Sequence, residues 1–247
     1  MFSRVSSIVC SVAVMLLAQG GLASIIVDGQ LDDWGTTPFV DWVPDAPAWY
    51  VEENWGDHPG ETGAYPYGGE AFDQEALYAL VDSGDLCITI VTSFPESGVF
   101  AQGNQVMPGD IAIDLDGDDV YEYGIVGHGA NKGDVYYGPT WSLPHGFIGF
   151  PQDGPSTLSG GTYVGTIPFV YLNAGDLEGN GTDTYVLEMS MPLSLLGNPV
   201  GPASVHHVMT CGNDALNGGF IVPEPATLGL LMIGAGLTFG RRRRQYD

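Results

Sequence analysis

Residues 110–126 read DIAIDLDGDDVYEYGIV, two alternating runs on either side of an acidic reversal. Ile111, Ile113 and Leu115 share one face of the first run, and Tyr121, Tyr123 and Ile125 share one face of the second. A period of two is what a strand with one buried side requires, and Asp-Gly is a favoured hairpin reversal. The signature recurs. GDLCITIVTSF places Leu86, Ile88, Ile90 and Phe94 on one face, and GDVYYG, GTYVGTIPFVYL, DTYVLEMSMP and ASVHHVMTCG extend the pattern. With 37 glycines and 17 prolines, long helices are disfavoured, and LSLLG (193–197) offers at most one helical turn. Alternating faces in such number are buried only by stacking two sheets. The fold class predicted is therefore all-β, an antiparallel β-sandwich of jelly-roll-like form. Upstream, IIVDGQLDDWG reads as a short strand, a turn at Asp28-Gly29 and a segment bearing Trp34. Residues 36–69 are loop-like, with five prolines and Trp42, Trp49 and Trp55.

Both ends differ from this body. The opening MFSRVSSIVCSVAVMLLAQGGLAS has a positive start at Arg4, an apolar middle from Ile8 to Leu17 and a small-residue site at Gly21-Leu22-Ala23. Those are the three parts of a secretory signal, cut between Ala23 and Ser24. At the other end Ala226–Gly240 is uncharged and mostly apolar, about 22 Å long as a helix, against a hydrocarbon core of about 30 Å. Arg241, Arg242, Arg243 and Arg244 follow it. Arginines there are held at the cytoplasmic face by the positive-inside bias and by anionic lipid. The tail thus works as a short transmembrane stop that pins the C-terminus inside the inner membrane for a time. Four divisions follow: signal peptide 1–23, sandwich 24–218, linker 219–222 and sorting segment 223–247.

Charge narrows the partners. Between Ser24 and Gly240 there are 29 acidic residues against a single lysine, Lys132, a formal charge of −28. Such a body repels polyanions, which excludes nucleic acid as a partner, and it attracts cations.

Pro223-Glu224-Pro225, the short apolar run and the arginine cluster, in that order, resemble the PEP-CTERM sorting signal of Gram-negative bacteria. The resemblance implies recognition by an exosortase-type membrane protease, loss of the anchor, and release to the outer envelope or the extracellular polysaccharide matrix. IIVDGQLDDW and YVLEMSMPLSLLG resemble the opening and late strands of family 9 carbohydrate-binding modules and the related DOMON-like sandwiches. The central stretch departs from those modules in its long Trp/Pro loop.

Three constellations carry possible chemistry. Asp114, Asp116 and Asp118 at alternate spacing, with Glu122 after them, offer hard oxygens to one Ca2+; the competing reading is a solvated hairpin turn. It is not an EF-hand, because the sixth loop position is Asp119 rather than Gly and the twelfth is Ile125 rather than Glu. Trp42, Trp49 and Trp55 offer flat faces for stacking on sugar rings, or else cover an open end of the sandwich. Cys87 and Cys211 remain after signal removal, either joined in a disulfide worth about 4 to 5 kcal/mol or both free and buried. No nucleophile elbow, zinc-protease helix or phosphate loop occurs, and His206-His207 in a strand point to opposite faces. The function expected is that of a non-enzymatic envelope or matrix protein associated with polysaccharide. The alternatives are a carbohydrate-binding module with a defined glycan and, behind it, a glycoside-active enzyme.

Overall fold

Residues 24–38, 41–45, 47–52, 69–144 and 154–224 are described by a computed structural model. They form thirteen strands: β1 (Trp49–Glu52), β2 (Gln74–Asp82), β3 (Asp85–Thr92), β4 (Val99–Ala101), β5 (Asn104–Val106), β6 (Ile111–Asp114), β7 (Tyr123–Ile125), β8 (Asp134–Ser142), β9 (Thr157–Thr166), β10 (Phe169–Gly175), β11 (Thr184–Pro192), β12 (Gly201–Val208) and β13 (Ala215–Val222). One sheet has the order β1-β2-β3-β11-β10 and the other β13-β12-β6-β7-β8-β9, with every pairing antiparallel. The all-β, antiparallel expectation holds. The strand order differs from a jelly roll, because β6 to β9 are successive neighbours in one sheet and do not interleave with the other.

The alternation read from the sequence builds the core. Leu77 and Ala79 of β2, Leu86, Ile88 and Ile90 of β3, and Leu187, Met189 and Met191 of β11 meet Ile111, Ile113, Tyr123, Ile125, Val205, Leu216 and Phe220 of the opposite sheet. The acidic hairpin pairs Ile111 with Ile125 and Ile113 with Tyr123. Tyr121 leaves that face and stacks instead on His206, with centroids 5.8 Å apart.

The five-stranded sheet is covered on its outer side as well. Ala76, Tyr78, Leu80, Cys87, Val91 and Val186 point away from the core and pack under Ile25, Leu31, Trp34 and Trp42. Strands buried on both faces read as nearly continuous apolar runs, as in ALYALV and LCITIV. The N-terminal segment therefore lies over a sheet face and does not close an end of the sandwich. Ile25–Val27, expected as a strand, runs without strand pairing, and Asp28-Gly29 turns as expected. Phe72, Phe94, Val106, Met209 and Cys211 make a third cluster beside the β4–β5 hairpin. Phe94 thus lies beyond the end of β3 and outside the main core.

Two boundaries move. GTYVGTIPFVYL is split at Ile167-Pro168: the Ile167 N–H donates to the Gly133 carbonyl (3.0 Å), while the Pro168 carbonyl accepts from Ser190 (3.3 Å). Proline has no N–H to continue a ladder, so the chain changes sheets there. Residues 219–222, expected as a linker, belong to β13, where Gly219 pairs with Ser204 and Val222 with Gly201. Phe220 and Val222 are buried, and that burial extends the sandwich to the start of the Pro-Glu pair.

Candidate functional site

In a body with one lysine, buried carboxylates find backbone N–H groups instead of cations. Glu188, on the outer face of β11, accepts from Trp34 Nε1 (2.9 Å) and from the N–H of Asp28 (2.9 Å) and Gly29 (2.8 Å). Asp110 accepts from Gly127 (2.9 Å) and Leu158 (2.7 Å). Burial raises the pKa of both carboxyls, and those donors oppose the rise. Lys132 pairs with Glu96 (2.9 Å).

The acidic hairpin follows the same rule. Asp114 is buried at the end of β6; its Oδ1 accepts from Asp116 (3.0 Å) and Gly117 (2.7 Å), and its Oδ2 from Asp119 (3.0 Å). Glu122 Oε2 accepts from Leu115 (2.7 Å), and Asp118 Oδ1 from Val120 (2.9 Å). One oxygen from each of Asp114, Asp116, Asp118 and Glu122 lies within 4.8 Å of the others. The sequence-predicted quartet is thus brought together, with Asp116 and Asp118 facing solvent. Backbone N–H groups already engage oxygens of Asp114, Asp118 and Glu122, so this geometry serves a solvated turn as well as a cation site.

The tryptophans part company. Trp42 is buried beside Trp34 and Tyr78 and accepts the Tyr78 hydroxyl through its carbonyl (2.7 Å), so it has no face open to a sugar. Trp49, on the edge strand β1, is half exposed, and Trp55 lies outside the described residues. Open aromatic faces that the sequence reading passed over occur on the β8–β9 ribbon. Tyr137 and Tyr163 are about half exposed, Tyr163 packs edge-on against Tyr136 (5.8 Å), and Tyr137 packs on Tyr123 (5.3 Å). Their signal was Tyr137 in GDVYYG and Tyr163 in GTYVGTIPFVYL, legible only as strand. A cleft of about 480 Å3 lies between residues 28–32, Thr36 and Pro38 on one side and Ala174 and Leu177 on the other.

Cys87 and Cys211 are free. Cys87 sits on the outer face of β3 and Cys211 in the third cluster, in separate apolar surroundings, so the disulfide alternative falls. Burial pushes the Cys87 thiol up to about 11, against a weaker opposing hydrogen bond to Ser190. His206 and His207 do point to opposite faces. His206 reaches Asn217 (2.7 Å) and the Pro155 carbonyl (3.1 Å), and His207 Nδ1 meets Gln74 Oε1.

A second convergence had no sequence signal, because its members are far apart in the chain. Glu70, Glu75 and Glu178 bring one carboxylate oxygen each within 4.8 Å of the others.

At the C-terminal side, Pro223 and Glu224 are exposed directly after buried Val222. Pro225 and Arg241 to Arg244 lie outside the described residues, as does Ala23; Ser24 is described and exposed. Among the described residues no helix is long and apolar enough to cross a membrane. Neither the curated proteins nor the solved structures include a match to this chain, and the likeness to family 9 and DOMON-like modules rests on the quoted sequence stretches. The PEP-CTERM protein-sorting motif matches residues 222–244, starting at the last residue of β13. That motif implies an exported chain that transits the membrane and is processed by an exosortase, carrying an all-β body ahead of its sorting tail.

Proposed function

We propose that the body, once sorted, is a non-enzymatic protein of the outer envelope or extracellular matrix that associates with polysaccharide. The observation that carries this reading is the sorting motif, set against the last strand of the sandwich. Two features support the rest. Among the described residues, side chains that serve as nucleophile or base in other proteins are tied into the fold: Cys87 and Cys211 are buried, His206 and His207 bond to neighbouring strands or loops, and His128 lies against the Asp110 carboxylate that holds Gly127 and Leu158. Open aromatic faces at Trp49, Tyr137 and Tyr163 suit the apolar sides of sugar rings, and Asp134, linked to Tyr163 through Thr166, offers a carboxylate that accepts hydroxyl hydrogen bonds.

Retention of the full-length chain on immobilised acidic and neutral polysaccharides tests this. Retention should weaken several-fold in a Trp49→Ala, Tyr163→Ala double variant, and chromogenic glycosides should not be turned over. Passage through every gel unretarded, or turnover of a glycoside, overturns the reading. The cleft beside Asp28 and Asp32 favours the second reading, a module for one defined glycan; saturable binding to a single oligosaccharide, lost in Gln30→Ala, would select it.

A further inference from the structure

Glu70, Glu75 and Glu178 meet where three parts of the five-stranded sheet end. Glu70 opens a single 3-10 turn (Glu70–Phe72) that leads into β2. Glu75 is the extra residue of a bulge: Gln74 pairs with Thr92 and Ala76 with Val91, so Glu75 has no opposite number. A bulge re-aims the side chain it carries. Glu178 comes from the β10–β11 loop, which is folded by the Asp176 carboxylate accepting from Asn180 (3.1 Å) and Gly181 (3.0 Å). Asn180 Nδ2 also donates to Glu178 Oε2 (3.1 Å).

Glu75 breaks the pattern of the rest of the body. Glu75 is 0% exposed and Glu178 5%, with Glu70 half-buried on the solvent side. A single hydroxyl, Ser93 Oγ, lies 2.9 Å from Glu70 Oε1 and 2.8 Å from Glu75 Oε1. One hydroxyl has one proton to give, so it satisfies only one of the two at a time. Glu75 Oε2 is buried with no hydrogen-bond partner. Among the described residues the only lysine or arginine is Lys132, which is paired with Glu96. Burial, then the charges of Asp73 and Glu178, push the Glu75 carboxyl well above the usual carboxylate range. A proton on Glu75 quiets one charge of three; a divalent ion offsets two and gives the Glu75 carboxylate a cation to coordinate.

We propose that Glu70, Glu75 and Glu178 form a site for a hard divalent cation, Ca2+, which ties the β10–β11 loop to the entrance of β2. The ligands are all carboxylate oxygens, the donor type that Ca2+ prefers. At a Ca2+–O distance of about 2.4 Å two opposed ligands stand about 4.8 Å apart, the limit within which these three oxygens lie. The site is separate from the acidic hairpin, and it stands or falls independently of the polysaccharide reading.

Melting the full-length chain in mild non-ionic detergent, with Ca2+, with Mg2+ and with chelator, tests the site. Ca2+ should raise Tm by about 5 to 10 °C at a hundredfold excess over Kd. Glu75→Gln should melt at or above the chelated parent and show no response to Ca2+. An Asp116→Asn, Asp118→Asn double variant should respond as the parent does. If Glu75→Gln does not fold, Glu178→Gln is measured in its place with the same expectation. Absence of any response to Ca2+ leaves protonation as the account and overturns the proposal. A response kept in the glutamine variant, or lost only in the hairpin variant, does so too, and a response to Mg2+ alone overturns the choice of ion.

Discussion

Trp34 Nε1 donates to Glu188 Oε1 across 2.9 Å, joining residues 154 positions apart. The two belong to the stretches DGQLDDW and YVLEMSMP, and the same carboxylate caps the turn at Asp28-Gly29. Gly29 sits at φ 79°, with Leu172 against the place where a Cβ would be, so the turn is built for glycine and for this one acceptor.

Glu188→Ala removes the acceptor of four donors, the Asp28 and Gly29 N–H groups, Trp34 Nε1 and, at 3.4 Å, the Thr89 hydroxyl, and leaves them beneath the N-terminal cover. Each buried donor left unpaired costs about 1 to 3 kcal/mol, so urea unfolding should show a loss of about 3 kcal/mol or more. Glu188→Gln keeps one acceptor and should lose about half as much. An alanine variant within 0.5 kcal/mol of the parent would show that the cover is not held from Glu188.

His207 gives a pH dependence of known sign. Burial, and secondarily the charge of His206, lower its pKa from 6.5 to about 3. The folded protein keeps it neutral, while the unfolded chain takes a proton below about pH 6.5. Its contribution is therefore complete above pH 6.5 and lost as pH falls toward 3, at up to about 1.4 kcal/mol per pH unit. Glu188 and Asp110, whose carboxyls are raised, work in the opposite direction and remain in both proteins. Subtracting the stability of His207→Asn from that of the parent at pH 7, 6, 5 and 4.5 isolates the histidine. Parallel curves would contradict a buried neutral imidazole.

Cys87 and Cys211 should both titrate as free thiols in the denatured mature protein and react slowly in the folded one, since burial raises both pKa values. Reductant should leave the melting temperature unchanged. A mass two units lighter than the dithiol would restore the disulfide.

Replacing Arg241 to Arg244 with glutamine removes four charges, each worth about 1 kcal/mol at an anionic leaflet. The tail should then lose its hold at the cytoplasmic face. The sorted, trimmed form should fall in cell fractions, with full-length chain accumulating instead. Unchanged processing would mean that the Pro-Glu-Pro and apolar parts of the matched segment suffice.

Most of what depends on local order in this protein was legible in the chain, Ile25–Val27 and Tyr121 excepted. Alternation is a local property, so the hairpin at Ile111–Ile125, the Leu86, Ile88 and Ile90 face of β3 and the all-β class followed from spacing alone. The sorting motif is contiguous and could be read the same way. What tertiary structure decided is the second burial. Trp42 looks like a surface ring until the five-stranded sheet is found lying beneath it, and residues 219–222 look like a linker until β12 supplies their ladder. The Glu70, Glu75 and Glu178 cluster belongs to the same class. Nothing within a few residues of any one of them fixes its neighbours, because a bulge in β2 and a loop more than a hundred residues later set the distances. Periodicity tells which residues leave water; only the packed sheets tell which of them meet.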